Sequence, residues 1–289
     1  MQIDGKKIAS ILQKQLKKDF SKLKNKSHKP RLTTLLIGQS PDQLSFVKIK
    51  QKIAKKIGVA FDFIYLKQTP SFEKLMQLIK SISADPKTTG IIIQQPLPPH
   101  LATESIYDII DTIKEIEGHK HKTTYLPPLG LGVLTILKYI FSTRKVGSDL
   151  FVNINRDTSF FKRIFKNKKV VLVGRGLTGG KPIGHTLSTV KINYLQIHSQ
   201  TPNKDEYLKD ADIIISAVGK KVILPESLKP EVILINIGLR RENKRLKGDY
   251  EEKEVKNIAS YYTPTPGGIG PIDVVYLYKN LLEAAKQQK

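Results

Sequence analysis

The sequence predicts an α/β protein with mainly parallel sheet, organised as two consecutive units. Three observations carry this. Short apolar runs of strand length alternate with stretches of helical period, which is the signature of βαβ units. The alternation starts afresh after residue 169, directly behind a strand that enters a Gly-rich turn. The length, 289 residues, suits two domains of roughly 100–200 residues each.

The elements follow in order. Residues 4–24 place Ile8, Ile11, Leu12, Leu16 and Phe20 at helical spacing, with Asp4 as N-cap. LTTLLIG reads as a strand ending at Gly38. A helix is predicted from about Asp42 to Lys56, then the strand FDFIYL, a helix around 72–83, and the buried strand IIIQ at 91–94, stopped by PLPP. A further helix is expected near 103–112. GLGVLTILKYIF (130–141) is helical in pattern, and 142–168 shows no clear period, so a linker or insertion is expected there. KKVVLV, YLQIH, DIIISAVG and VILINIG are the strands of the second unit. The chain closes with a Gly/Pro loop and an amphipathic helix.

Composition narrows the function. With no cysteine there is no disulfide framework, thiolate metal site or thiol nucleophile, and no metal site is expected. The N-terminal residues lack the apolar core of a signal peptide, and no run reaches the roughly 18 apolar residues of a membrane span. A cytoplasmic protein is expected. The net charge of +23 fits either a polyanionic partner or a lysine-biased surface. Only eight of the 49 basic residues are Arg, the residue favoured for phosphate and base-edge recognition, so the surface reading is preferred and a nucleic-acid partner is not expected.

Gly174, Gly176 and Gly179 spell G-x-G-x-x-G between a strand and a helix. Glycine lets backbone approach a pyrophosphate, and the helix offers N–H groups and the positive end of its dipole. This makes 169–260 a Rossmann-like domain. A site reading a bare ribose places Asp or Glu at the end of the next strand. This chain has His198 and Ser199 there, with Arg175 in the first turn, which favours NADP over NAD. His198 as an ordinary histidine at a strand end is the alternative.

On the helix DQLSFVKIKQKIAKKIG, Phe46, Ile49, Ile53 and Ile57 form the expected core stripe, and Lys50 shares it. An inward lysine is costly unless paired or functional. Spacing alone leaves open whether Lys50 works inward or snorkels to the edge. Gln94, at the carboxyl end of a buried strand, stands where α/β proteins bind ligands, or it satisfies loop backbone.

These segments occur in a recognisable order. GQSPDQLSFVKIKQK, GIIIQQPLP, KEIEGH, VGRGLTGGKPIG, HSQT, ADIIISAVGK, NIGL, GDY and YYTPTPGGIGPIDVVYLYKN together resemble the bifunctional methylenetetrahydrofolate dehydrogenase/methenyltetrahydrofolate cyclohydrolases (FolD-type). The resemblance covers most of the chain and is weakest at 119–168. It implies a folate-binding catalytic domain (1–140, rejoined by the helix 271–289), a linker or insertion (141–168) and the NADP domain (169–260). It also implies an active cleft between the domains, tetrahydrofolate substrates, polyglutamylated forms among them, and a homodimer. By position, Lys50 matches the catalytic lysine and Gln94 the glutamine that hydrogen-bonds it. Phe46, Glu117, Pro266, Gly267 and Gly268 fall at substrate positions. Gly174, Arg175, Gly176, Gly180, His198, Ser199 and Gly270 fall at cofactor positions.

The departures are specific. Phe46 replaces a Tyr, Glu117 an Asp, Gly176 a Ser and Asp273 a Thr, and HKHKTTYLPPLG stands in place of F-H-P-x-N-x-G. Hydride transfer chiefly needs alignment, whereas hydration of the methenyl carbon needs proton transfers. A missing Tyr hydroxyl therefore bears more on hydrolysis. The expected function is both activities, in one-carbon metabolism. The alternatives are a dehydrogenase with weak or lost cyclohydrolase activity and a non-catalytic basic binding protein on the same fold.

Overall fold

Two parallel sheets organise the chain, one in each of two units of a computed structural model that describes residues 1–23, 29–103, 105–120, 122–142 and 150–288. One unit comprises Gln13–Pro128 with Val274–Lys289, the other Met1–Leu12 with Leu129–Asp273. Residues 143–149 of the expected linker, Lys24 and Lys289 lie outside the described residues.

The first part of the chain runs α1 (Gly5–Ser21), β1 (Arg31–Ile37), α2 (Pro41–Ile57), β2 (Ala60–Leu66), α3 (Phe72–Ala84), β3 (Gly90–Ile93) and α4 (Ser105–Asp108). The strands pair in parallel in the order β2-β1-β3. Local chemistry sets the limits of α2: the Ser40 side chain accepts from the Gln43 amide, Pro41 opens the helix, and Gly58 closes it at φ 84°. Leu35, Ile37, Ile91 and Ile93 meet Leu75, Ile79 and Ile82 of α3 in one core. Among the described residues of the helix expected at 103–112, a single turn, Ser105–Asp108, is helical. The Asp111 amide is taken by Ser83 Oγ (2.8 Å) and its carboxylate accepts from the Ile113 amide (2.8 Å), which turns the chain.

The chain continues through α5 (Pro128–Phe141), α6 (Ile154–Phe165), β4 (Val170–Val173), α7 (Gly180–Thr189), β5 (Leu195–Ile197), α8 (Lys204–Asp210), β6 (Ile213–Ser216), β7 (Ile233–Asn236), β8 (Arg240–Glu242), β9 (Arg245–Lys247), α9 (Glu252–Val255), β10 (Tyr261–Tyr262) and α10 (Ile269–Gln287). The stretch without a sequence period thus holds α6, capped by Asn153 and joined to α5 by a buried Lys138–Asp157 ion pair of 2.7 Å. The parallel sheet has the order β10-β7-β6-β4-β5. From β4 the chain moves one way to β5 and the other way to β6, so strand order reverses between β4 and β6. Ligands of open α/β sheets bind beyond the strand ends at such a point. β8 and β9 form a hairpin whose two turn residues, Asn243 and Lys244, both have positive φ. The N-terminal residues join the far edge of this sheet: the Ile3 amide donates to Tyr262 O (2.8 Å) and the Tyr262 amide to Met1 O (3.0 Å).

The last helix supplies Leu281, which is fully buried and lies against Gly90, where a Cβ would come within 2.6 Å of it. Leu281→Ala should leave a cavity over β3 and cost about 3 kcal/mol. A urea midpoint equal to that of the parent would refute this packing.

Candidate active and cofactor-binding sites

In the three-stranded unit, the buried face of α2 is Gln43, Val47, Lys50, Ile53, Ala54 and Ile57. This corrects the expected stripe: Ile49 is 48% exposed and Phe46 only half-buried, because the face is centred on the 43–47–50–54–57 row. Lys50 is inside, 9% exposed, and does not snorkel. Its Nζ donates to Gln94 Oε1 at 2.9 Å, and Gln94 Nε2 donates to the Gln95 carbonyl at 2.9 Å. The second hydrogen bond fixes the amide so that its oxygen faces the ammonium.

Other residues brace this pair. Gln43 Nε2 donates to Pro96 O (2.7 Å), tying α2 to the loop that follows β3. Tyr278 of α10 donates its hydroxyl to the Lys50 carbonyl (2.6 Å). Neither Gln43 nor Tyr278 is singled out by the sequence reading, since each looks like one more residue on an amphipathic helix.

Glu117 reaches the same place from the loop after α4. Burial pushes its carboxyl up to about 7, against the pull of the Lys50 ammonium and a hydrogen bond from the Ile93 amide. The loop carrying it is held by Glu115, which is 1% exposed. The Glu115 carboxylate accepts from the backbone amides of Glu117 (2.9 Å), His119 (3.1 Å) and Lys120 (3.3 Å). Burial raises the Glu115 carboxyl as well. The rings of His119 and Tyr107 stand 4.7 Å apart, and Gln95 Nε2 donates to the Tyr107 hydroxyl at 2.6 Å. Glu115 is the main residue that sequence reading misses here. Its signal is the first acid of KEIEGH, two positions before the one that was noticed.

In the five-stranded unit the glycine turn follows β4. Gly174 has φ 107°, and a Cβ there would lie 2.7 Å from the Ala217 carbonyl oxygen. A Cβ on Gly180 would lie 2.1 Å from the Gly174 carbonyl oxygen, so the first turn of α7 packs directly on the loop. Gly176 faces open space, so its place in the motif is not imposed by packing. Arg175 is exposed, and its Nη2 donates to Gln200 Oε1 (3.2 Å), bringing it beside the end of β5. There the half-buried His198 accepts at Nδ1 from the Gln200 amide (3.3 Å), which leaves Nε2 as the ring donor, and Ser199 is exposed. Farther on, the loop bearing Pro266, Gly267 and Gly268 begins at a cis Thr265–Pro266 bond, and Gly270 is exposed. No group of His, Asp or Glu suited to a metal ion occurs among the described residues.

Family models match both parts of the chain: the tetrahydrofolate dehydrogenase/cyclohydrolase catalytic domain over residues 3–117 and the NAD(P)-binding domain of the same enzymes over 159–289. The chain belongs to the tetrahydrofolate dehydrogenase/cyclohydrolase family. It is 33% identical to a bifunctional protein FolD of Exiguobacterium sibiricum, covering 98% of this chain and 99% of the relative. A FolD of Geobacillus thermodenitrificans is also 33% identical, over 99% of this chain and 97% of its own length. The crystal structure of a bifunctional FolD from Campylobacter jejuni superposes with a TM-score of 0.86 at 26% identity, covering 100% and 99% of the two chains. A Trypanosoma brucei FolD, solved with NADP cofactor and inhibitor, gives 0.78 at 26% identity, covering 99% and 97%.

The raised Glu117 carboxyl has a measurable signature. The folded protein holds the Glu117 proton more tightly than the unfolded chain, whose Glu titrates near about 4.3. The stabilisation from that proton is complete below the unfolded value and is lost as pH rises toward about 7. Relative to Glu117→Gln, the parent should therefore lose stability between pH 5 and pH 7.5. A difference that does not change with pH would refute the raised carboxyl.

Proposed function

We infer that this protein oxidises 5,10-methylenetetrahydrofolate to 5,10-methenyltetrahydrofolate with NADP and hydrolyses the product to 10-formyltetrahydrofolate. The observation that carries this is the buried Lys50 ammonium held on Gln94 beside Glu117, in a chain matching both family domains. The substrates are tetrahydrofolate derivatives. Polyglutamylated forms suit the exposed Lys52, Lys55 and Lys56 on α2.

Hydrolysis draws on the lysine. Water adds to the methenyl carbon and loses one proton to solution; its second proton passes to N5 as the bond from carbon to N5 breaks and the C=O of the formyl group on N10 forms. An ammonium has three N–H groups. Gln94 occupies one and aims the head, and the remaining charge stabilises the oxygen of the adduct. Glu117 is the acceptor for the pterin N–H groups, and Phe46 offers an aromatic face to the same ring system. Phe46 has no hydroxyl, which supports a second reading in which hydrolysis is weak and oxidation dominates.

Oxidation depends on alignment. Bound NADP supplies a hydride acceptor. The glycine turn suits a dinucleotide, because Gly174 and Gly180 let the loop and the first turn of α7 pack closely and Gly176 leaves open space where its Cβ would stand. Arg175, His198 and Ser199 would hold the 2′-phosphate, with Gly176 and Gly270 lining the path, while Pro266, Gly267 and Gly268 serve the substrate. A homodimer is the proposed assembly. It is supported by β2, an edge strand with open backbone groups and a 39% exposed Phe63. No described helix is long and apolar enough to cross a membrane, and a cytoplasmic setting goes with the proposed activity.

Two variants test these roles. Lys50→Met keeps the stem and removes the ammonium, and should cut hydrolysis of methenyltetrahydrofolate at least about 100-fold with an unchanged circular dichroism spectrum. Hydrolysis at the parent rate would overturn the assignment. Arg175→Ala should weaken NADP binding by about 10-fold or more and leave NAD binding nearly unchanged. Equal losses for both would exclude a 2′-phosphate contact.

A further inference from the structure

Asp249 lies between β9 and α9 and is 0% exposed. Its carboxylate takes three donors, all from the end of β6 and the loop beyond it. Ser216 Oγ reaches Oδ2 at 2.5 Å, the Val218 amide reaches Oδ2 at 2.8 Å, and the Gly219 amide reaches Oδ1 at 2.8 Å. Its carbonyl accepts from the Val222 and Ile223 amides (2.9 and 3.1 Å), and its own amide turns to β7. The Asp249 amide donates to Asn236 Oδ1 (2.8 Å) at the end of β7, and Asn236 Nδ2 donates to Gly238 O and Thr265 Oγ1, both at 2.8 Å. Next in sequence, the Tyr250 hydroxyl donates to Thr263 O (2.6 Å). Contact is tight, since a Cβ on Gly238 would fall 2.1 Å from Asp249 Oδ1. One short segment therefore clasps the carboxyl ends of β6, β7 and the strand leading to Pro266.

The loop that Asp249 holds is the wall opposite the glycine turn. The Ala217 carbonyl oxygen stands 2.7 Å from the missing Cβ of Gly174, and the Ala217 Cβ stands 3.1 Å from that of Gly179. These are the two sides of the reversal point between β4 and β6, where a ligand of such a sheet sits. Apolar side chains are left open here: Leu177 on the turn is 56% exposed, Val218 after β6 39%, and Leu239 after β7 45%. A buried carboxylate with two backbone amides and a hydroxyl fixes a loop firmly, because in a low-dielectric interior each of those charge-assisted bonds is strong and costly to leave unmade.

We propose that Asp249 is a positioning residue for the dinucleotide. Its carboxylate sets the 217–219 wall of the crevice without itself reaching the cofactor, while its backbone amide, which a side-chain change leaves in place, holds Asn236. The proposal rests on the NADP reading above. It predicts that losing the carboxylate loosens the wall and lowers cofactor affinity while sparing chemistry that needs no cofactor.

The test is Asp249→Asn, which keeps the shape but replaces one acceptor oxygen with an N–H₂ facing donors. NADP affinity measured by calorimetry should fall about 10-fold or more. Hydrogen exchange at the Val218 and Gly219 amides should speed up. Hydrolysis of methenyltetrahydrofolate without NADP should stay within about two-fold, as expected when one loop moves and the fold persists. Ser216→Ala, which removes one donor, should show the same pattern at smaller amplitude, and it carries the test if Asp249→Asn does not fold. NADP affinity equal to the parent's in the folded variants overturns the proposal. So does a parallel collapse of binding and hydrolysis, which would make Asp249 a general stability residue. A parent that binds no NADP would overturn the functional reading itself, and the proposal with it.

Discussion

An ammonium group inside a protein must be given oxygen, and the three-stranded unit is arranged around that demand. Lys50 sits on the buried face of α2. Gln94 answers with its carbonyl oxygen, and it does so only because its amide nitrogen is committed to the Gln95 carbonyl. Gln43 then joins the helix to the turn after β3, and Tyr278 joins the last helix to the backbone of Lys50. Each of these contacts fixes where one charge stands. Glu117 belongs to the same balance, since burial disfavours its negative form and the nearby lysine restores part of it. Changing either charge alters what the other can do.

Two buried acids act alike in the two units. Glu115 gathers the amides of Glu117, His119 and Lys120, and Asp249 gathers those of Val218 and Gly219. In both cases irregular backbone beyond a parallel strand is fixed by a buried carboxylate that accepts from its amides. Loops beyond parallel strands carry amides that no ladder satisfies, and an acid is the cheapest single group that can satisfy several at once.

Much of this was legible in the sequence where the signal is local. The strands β1, β3, β4, β6 and β7 are short runs of Val, Ile and Leu buried on both faces, and such runs read plainly. The glycine turn showed itself because its glycines stand in one short run between a strand and a helix, although what requires Gly174 is the distant Ala217 carbonyl. Lys50 was visible as a lysine in an apolar row, but the row was drawn through Ile49, since isoleucine and phenylalanine outrank valine and glutamine in any apolar count. The structure centres it on Val47 and Gln43. The α6 helix was missed because its anchors are a buried ion pair and an Asn cap and not a long apolar stripe. The β8–β9 hairpin was missed because its turn is Asn-Lys, where Asn-Gly would have announced it. Glu115 and Asp249 look like surface acids in a sequence. What they bind is backbone, and backbone leaves no mark in the alphabet.

The ends of the chain close both units. Met1 and Ile3 bond to Tyr262, and Tyr278, Asn280 and Leu281 complete the layer around Lys50 and Gly90. A ribosome delivers the first strand-edge residues long before their partner at 262 exists, and it delivers the lysine helix long before the helix that covers it. For most of its synthesis, then, the nascent chain carries two unfinished cores with apolar faces uncovered. Neither unit can complete its packing until those late residues have been made. Any tag, truncation or pause near residue 270 acts on both halves of the molecule at once, however far apart in sequence their working residues lie.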